Sequence, residues 1–399
     1  MHQPAYPPDS DPAFTLTGGP AGATPATLAA LGHPILHHLD PAFGALYEAT
    51  VERLRLAFGT SLSPVILQGE AVVGLEAAAA SLIGAGDVVL NLVSGMYGRG
   101  YGDWARRYAR EVIEIEVPYD SAVPAGRVAE ALRARPDITI VSVVHCETPA
   151  GTVNDLDAIA AAVGDRALLI VDAVSSWGGM RCDFAAWQAD LVVVGPQKCL
   201  GGPAGLSLLH VSEAAWAHMA GNPRAPRGSI LSILDWRDAH LASAPFPFTP
   251  SISDIYGLHA CLGQYLAEGP DAVQRRHAAA AAAAQAGAQA LGLTLWAADP
   301  AVRSDTITAV RMPAGVDEAQ VRARARADSG VMLSGGQGDF AGTVLQIGHL
   351  GPGAYPLSPV IALVAIGRAL RSLGAAADIG AAVEAAVATL DESAELPLG

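Results

Sequence analysis

Cysteine, aromatic residues and charge are all scarce in this sequence. Four cysteines in 399 residues, with no C-x-x-C pair, argue against a disulfide framework and favour a reducing compartment such as the cytoplasm. Charged residues make up only 16% of the chain and hydrophobic residues 51%, which excludes the disordered class. No apolar run reaches the ~20 residues that a bilayer crossing requires. The composition therefore predicts a globular protein.

Positive charge is scarcer still. Lys and Arg number 24 against 39 for Asp and Glu, so the formal net charge is −15 at pH 7. A nucleic-acid binder needs a basic face to replace the counterions of the phosphates, and adhesion to an anionic membrane also needs cations. The balance argues against both partners and favours a soluble cytoplasmic enzyme that acts on small molecules.

Apolar runs alternate with helical stretches between about residues 61 and 211. Strands are predicted at 88–93, 112–117, 138–145, 167–172, 191–195 and 206–211, with helices such as 69–83 and 155–163 between them. Nearly continuous Val, Ile and Leu runs are typical of strands buried on both faces. This region therefore predicts a mostly parallel sheet with helices on either side.

The pattern changes after residue 250. Long helices are predicted at 253–267 and 272–291, then strands near 293–297, 306–311 and 344–347 and helices near 316–328 and 358–373. We therefore predict an N-terminal segment (1–20), a large domain (21–275) and a small C-terminal α/β domain (276–399), with the N-terminal segment packing on the small domain.

Small or polar residues follow four of the apolar runs, at 94–97, 145–148, 172–176 and 195–198. Ligands of open α/β sheets bind at the carboxyl ends of the strands, so these residues are expected to line one crevice. Asp172 and Lys198 stand at two of these ends, and a buried acid and amine are costly unless paired or used. Spacing alone leaves two interpretations open: a salt bridge that closes the sheet, or a pyridoxal site.

Longer strings around these two residues favour the second interpretation. Asp172-Ala173-Val174-Ser175-Ser176-Trp177-Gly178-Gly179 and Gly195-Pro196-Gln197-Lys198-Cys199-Leu200-Gly201-Gly202 resemble the class V aminotransferases of fold type I. Five further segments carry the same resemblance in order along the chain: 17–20, 94–98, 147–151, 248–258 and 347–351. The resemblance covers nearly the whole chain and implies a mostly parallel seven-stranded sheet flanked by helices, plus a smaller C-terminal α/β domain.

The resemblance also implies roles for individual residues. Lys198 is expected to form a Schiff base with pyridoxal and to move the proton between substrate and cofactor, while Asp172 pairs with the ring nitrogen. Tyr97 is expected to stack on the ring, and Thr148 to bond at the ring or substrate edge. The remaining implied cofactor contacts are Glu70, Ala71, Ser175, Gln197 and Thr249. Thr249 is expected to reach a neighbouring subunit, which implies a homo-oligomer, dimer or tetramer, with shared active sites.

Glu70 sets the prediction of function. Residues 69–81, 115–119 and 245–251 resemble a branch of the family that takes free pyridoxamine as a substrate instead of holding pyridoxal phosphate. A helix N-terminus is a ready phosphate site, but a carboxylate there repels phosphate and can accept a hydrogen bond from a neutral hydroxymethyl group. The simpler interpretation is an acid that complements the helix dipole. Given the resemblance, we favour the interpretation in which Glu70 selects the phosphate-free vitamer.

The sequence thus predicts an aminotransferase that moves an amino group between pyridoxamine and an oxo acid such as pyruvate, giving pyridoxal and an amino acid. The alternative is an enzyme with permanently bound pyridoxal phosphate that performs transamination, elimination or carbon–carbon chemistry on a substrate without the usual α-carboxylate. A third hypothesis is a catalytically silent B6-binding protein.

Two positions depart from the pattern of that branch. In that branch, two arginines of the small domain hold the carboxylate of the oxo acid. The matching positions in this sequence are Gln337 and Gln346. Together with Thr148, these two residues are the expected substrate contacts. A neutral amide cannot reproduce the bidentate, charge-assisted pair of an arginine. We therefore expect a weaker hold on the carboxylate.

Two weaker motifs carry no function. His33 and His37 have the i, i+4 spacing of a metal pair, but Pro34 interrupts the helix between them, so no metal site is expected. The glycines at 201–205 follow the lysine and do not open a phosphate loop, and neither a G-x-G-x-x-G nor a Walker motif is present.

Overall fold

The structure is a computed structural model that describes residues 11–241 and 244–394. The chain divides into two compact units. The larger comprises residues 23–275 and 297–304, and the smaller comprises residues 11–22, 276–296 and 305–394. Residues 1–10 of the expected N-terminal segment lie outside the described residues.

Strands and helices alternate through most of the chain. The strands are β1 (Phe14–Thr15), β2 (Val65–Gln68), β3 (Val88–Val93), β4 (Glu111–Glu116), β5 (Ile140–Val144), β6 (Cys146–Glu147), β7 (Thr152–Val153), β8 (Leu168–Asp172), β9 (Leu191–Val194), β10 (Leu206–Val211), β11 (Thr294–Leu295), β12 (Ile307–Arg311), β13 (Val331–Met332), β14 (Ser334–Gly335) and β15 (Val344–Gly348). The α-helices are α1 (Pro25–Leu31), α2 (Pro41–Phe58), α3 (Ala71–Leu82), α4 (Met96–Tyr108), α5 (Ala125–Ala134), α6 (Leu156–Val163), α7 (Glu213–Gly221), α8 (Ile252–Glu268), α9 (Pro270–Ala290), α10 (Glu318–Ser329), α11 (Ser358–Ser372) and α12 (Ile379–Ala394). Within the described residues, no helix has the length and apolar sequence together that a bilayer crossing requires.

A seven-stranded sheet forms the centre of the larger unit, in the order β2-β10-β9-β8-β5-β3-β4. The pairings β9-β8, β8-β5, β5-β3 and β3-β4 are parallel, whereas β10 is antiparallel to both β9 and β2. Every residue of β3, β5 and β9 is buried, as their apolar runs predicted. The prediction of a mostly parallel, helix-flanked sheet of seven strands is confirmed.

Helix α3 packs very closely on this sheet. A Cβ at Gly74 would lie 2.6 Å from Ser207 Cβ and 2.9 Å from Val193 Cγ1, so only glycine fits there. The Gly74 N–H donates to Ser207 Oγ at 3.0 Å, which ties the helix to β10. The close contact at Gly74 therefore holds the first turns of α3, which follow Glu70, against the sheet.

The structure contains one strand of the large sheet, β2, that the sequence did not predict. Its apolar run is only Val65-Ile66-Leu67, and a run that short does not distinguish strand from helix. The predicted ends of the other strands of the large sheet differ from the observed ones by at most two residues. The strand predicted at 293–297 is shorter, since β11 holds only Thr294–Leu295.

The smaller unit has its own sheet and core. Its four-stranded sheet has the order β11-β12-β15-β14, with antiparallel pairings throughout. Buried apolar residues of β12, β15 and α11, such as Val310, Leu345 and Leu363, belong to one hydrophobic cluster. The N-terminal strand β1 pairs in parallel with β13, Phe14 opposite Val331. This unit is therefore a separate α/β structure that includes residues from both ends of the chain.

Candidate active site

Four neighbouring parallel strands end at one edge of the large sheet. Tyr97 follows β3, Thr148 follows β5, Asp172 ends β8 and Lys198 follows β9. Because these strands run in the same direction, their carboxyl ends lie side by side. The structure therefore brings together the four loops that the strand pattern selected.

Asp172 is a buried carboxylic acid at this edge. It is 8% exposed, and its Oδ1 accepts a hydrogen bond from the Val174 N–H at 2.9 Å. Burial raises the pKa of the carboxyl group to about 6, against the opposing effects of the Val174 N–H and the charge of Lys198. A cationic N–H donor would stabilise the ionised form of this acid.

Lys198 is buried to the same extent, at 8% exposure. Burial lowers the pKa of its ammonium group, while the charges of Glu70 and Asp172 act in the opposite direction. A lysine with a lowered pKa supplies neutral amine, which is a nucleophile and a base.

Glu70 caps the N-terminus of α3 from the edge of the same site. Its Oε2 accepts from the Val72 N–H at 2.8 Å, and its Oε1 accepts from Gln197 Nε2 at 2.5 Å. Gln197 is buried and precedes Lys198, so Glu70 connects the helix to the lysine loop. Ala71, the first residue of α3, is buried behind it. The carboxylate therefore engages a first-turn donor of the helix and the amide donor of Gln197.

A hydroxyl pair and an aromatic ring complete the site. Thr148 Oγ1 lies 2.6 Å from Ser175 Oγ, and both side chains are buried. The Tyr97 side chain is 39% exposed, so part of its ring is open to a ligand. Such a face can stack on a flat heteroaromatic group, and the hydroxyl pair can bond to its edge.

Glu147 is a site residue that the sequence-based reasoning missed as a functional group. It is fully buried, and its carboxylate accepts from the Tyr97 N–H at 3.1 Å and the Gly98 N–H at 2.8 Å. Burial raises the pKa of this carboxyl group to about 7, and the charge of Asp172 adds to the rise. An acid three residues after the end of the buried strand β5, together with two glycines at a helix start, was the available signal.

Three further predicted residues are Thr249 in the larger unit and Gln337 and Gln346 in the smaller unit. Thr249 is exposed, and its carbonyl oxygen accepts from Gln68 Nε2 at 2.6 Å. Gln337 is exposed in the smaller unit. Gln346, in the same unit, is buried, and its amide accepts from Ser334 Oγ at 3.1 Å and donates to the Gly335 carbonyl at 3.0 Å.

The residues of the larger unit fit a B6 ring. A buried acid for the ring nitrogen, a buried amine for the aldehyde carbon and a hydroxyl pair for the ring edge stand at one sheet edge. Gln197 Oε1 is buried without a hydrogen-bond partner within the described residues, so the site also has a spare acceptor. Among the residues that the structure describes, no three His, Cys, Asp or Glu side chains are grouped so that they could hold a metal ion.

Comparison with known proteins gives consistent matches. The family model "Aminotransferase class-V" matches residues 26–343. The pyridoxamine–pyruvate transaminase of Mesorhizobium japonicum is 52% identical over 390 residues, which cover 98% of this chain and 99% of that protein. The L-aspartate–glyoxylate aminotransferase of Paracoccus denitrificans is 32% identical over 377 residues, which cover 92% of this chain and 93% of that protein.

A solved structure agrees with these matches. The crystal structure of pyridoxamine–pyruvate aminotransferase from Mesorhizobium loti superposes with a TM-score of 0.95 at 52% identity. The superposition covers 97% of this chain and 99% of that one. The likeness therefore includes both units.

Proposed function

Because the chain belongs to the class V aminotransferases, we propose that it transfers an amino group between pyridoxamine and an oxo acid such as pyruvate. The products are pyridoxal and the corresponding amino acid. Identity of 52% over nearly the full length to a protein named for this reaction supports the choice of substrates. The alternative with permanently bound pyridoxal phosphate is not favoured.

Glu70 is the observation that carries the choice of a phosphate-free vitamer. A phosphate at the N-terminus of α3 needs the first-turn N–H groups, but Glu70 Oε2 already accepts from the Val72 N–H. The Gln197 amide donor is also engaged, by Glu70 Oε1. A dianionic phosphate would meet a negative charge at this point, whereas a neutral hydroxymethyl group can donate to the carboxylate.

Lys198 and Asp172 carry the chemistry in this proposal. When bound, the pyridine ring withdraws electrons from the carbon that carries the amino group. The Lys198 amine would bond the aldehyde carbon of pyridoxal with loss of water, and would take and return a proton at the reacting carbons. The Asp172 carboxylate would accept a hydrogen bond from the protonated ring nitrogen. Tyr97, Thr148 and Ser175 orient the ring.

We also propose a homo-oligomer, a dimer or a tetramer, in which Thr249 reaches the site of a partner subunit. Three large apolar side chains near the start of the larger unit support an interface, since Leu28, Ile35 and Leu39 are 58%, 65% and 72% exposed. The proposed location is the cytoplasm, and it is supported by the low cysteine content, four residues in 399.

The decisive test is the mass of the borohydride-reduced adduct. Lys198 is the only lysine in the 399 residues, so a reduced B6 adduct on a side-chain amine can form at one position alone. After incubation with equal concentrations of pyridoxal and pyridoxal phosphate, we expect the Lys198 peptide to carry pyridoxal without phosphate. A peptide that carries the phosphate form instead would overturn the proposal, and Lys198→Ala is the adduct-free control.

The two glutamines of the smaller unit give a prediction on the oxo acid. Gln346→Arg adds a group that can bind a carboxylate through two charge-assisted hydrogen bonds, so the KM for pyruvate should fall by roughly tenfold. Steady-state kinetics with pyruvate at saturating pyridoxamine measure this change.

The control adds the same charge elsewhere in the smaller unit. Gln289 is exposed on α9, and Gln289→Arg should leave the KM for pyruvate unchanged. An unchanged KM in Gln346→Arg, with the thermal unfolding midpoint preserved, would show that position 346 does not contact the carboxylate.

A further inference from the structure

Glu147 caps the N-terminus of helix α4, although it does not belong to that helix. Gly95 stands at the N-cap position and has no side chain to cap it, so the first turn takes its acceptor from elsewhere. The two Glu147 oxygens accept from the N–H groups of Tyr97 and Gly98, at 3.1 and 2.8 Å. The carboxylate therefore caps two successive backbone donors of α4.

The carboxyl group of Glu147 occupies the space that a side chain at position 95 would take. A Cβ at Gly95 would lie 2.3 Å from Glu147 Cδ, so the missing side chain provides the space for the carboxyl group. Glu147 itself is fully buried, and an ionised group in that position requires the donors that it has. The helix start and the acid are therefore complementary in shape and in hydrogen bonding.

The same residue joins two parts of the proposed ring site. Its side chain holds the backbone of Tyr97, the residue proposed to stack on the ring. Its own backbone continues into Thr148, whose hydroxyl lies 2.6 Å from Ser175 Oγ. Glu147 thereby links the residue at the ring face to the hydroxyl pair at the ring edge.

We propose that Glu147 is a positioning residue for the B6 vitamer, which sets the place of Tyr97 relative to Thr148 and Ser175. This inference rests on the proposed function, because it takes these residues as the ring contacts. Glu147 does not touch the ring in this proposal. It acts through the two backbone hydrogen bonds and through its own chain neighbour.

Binding of pyridoxine tests this role without any turnover. Pyridoxine has the ring but no aldehyde, so its affinity reports the non-covalent contacts alone. In Glu147→Gln, one N–H of α4 faces an amide NH₂ in place of an oxygen, and we expect the Kd for pyridoxine to rise about tenfold. The visible circular dichroism of bound pyridoxal should weaken, and the KM for pyridoxamine should rise more than kcat falls.

Glu114→Gln is the matched control. Glu114 also contacts α4, through an ion pair with Arg106 at 2.7 Å, but it does not touch the first turn. It should leave the pyridoxine Kd and the dichroism unchanged. If Glu147→Gln lowers the thermal unfolding midpoint without moving the pyridoxine Kd, the acid is only structural and the inference is wrong.

A second variant covers the case in which Glu147→Gln does not fold. Gly95→Ala leaves the acid in the chain but places a methyl group against its carboxyl, so it should raise the pyridoxine Kd in the same direction. An unchanged Kd in Gly95→Ala would contradict the inference. If the wild-type protein holds pyridoxal phosphate instead of pyridoxal, the proposed function fails. The affinities of the same variants for pyridoxal phosphate would then still decide the role of Glu147.

Discussion

Replacing Lys198 by alanine should lower transamination by about 10⁴-fold or more, because the variant loses both the nucleophile and the base. Lys198 is buried beside Asp172 and Glu70, and burial lowers the pKa of its amine. No other lysine exists in the sequence to replace it. Pyridoxal formation from pyridoxamine and pyruvate, followed by absorbance, measures the loss.

The binding of pyridoxine separates this effect from a loss of structure. Lys198→Ala should still bind pyridoxine, since Asp172, Tyr97 and the hydroxyl pair remain. Activity in the variant within tenfold of the wild type would contradict the assignment. A wild-type protein that binds pyridoxal but turns over neither pyridoxamine nor amino acids would instead support a catalytically silent B6-binding protein.

Replacing Glu70 by alanine should raise the affinity for pyridoxal phosphate by about 10²-fold, because the change removes a like charge next to the phosphate and frees donors for it. The substitution removes the negative charge and frees two donors, the Val72 N–H and Gln197 Nε2. Helix α3 then offers an ordinary N-terminal phosphate site. Equilibrium binding of pyridoxal phosphate and of pyridoxal, compared in both proteins, measures the change in preference.

A double-mutant cycle shows how Glu70 acts. If the freed Gln197 amide contributes, the gain in Glu70→Ala should shrink when Gln197→Ala is added; if charge alone acts, the two effects should add. Glu76→Ala is the matched control, because it also removes a carboxylate from α3. That carboxylate pairs with Arg107 at 3.4 Å. No gain in phosphate affinity in Glu70→Ala would leave Glu70 as a helix cap only.

Part of this site could be predicted because its residues lie next to strong local signals. Asp172 and Lys198 each follow a run of buried aliphatic residues, and the direction of parallel strands then places both at one edge. Strand β2 has no comparable signal. Its three apolar residues are too few to show a period, although the strand leads directly to Glu70.

Contacts between distant residues could not be predicted in the same way. Glu70 and Gln197 are separated by 127 positions, and nothing in either local sequence indicates the bond between them. The cap that Glu147 provides for α4 spans 49 or 50 positions and depends on the space at Gly95. The hydrogen bonds of Gln346 to Ser334 and Gly335 depend on the pairing of β14 with β15, which a pattern of hydrophobic residues does not specify.

The single lysine has a consequence under the proposed function, in which the protein releases an aldehyde. Pyridoxal in solution condenses with accessible amines, and an enzyme with many surface lysines would be modified by its own product. Here Lys and Arg number 24 together, and every one of them except Lys198 is an arginine, whose guanidinium remains protonated at neutral pH. Under the proposed function, the only side-chain amine on which pyridoxal can condense is the buried one of Lys198, so the exposed side chains stay unmodified as product accumulates.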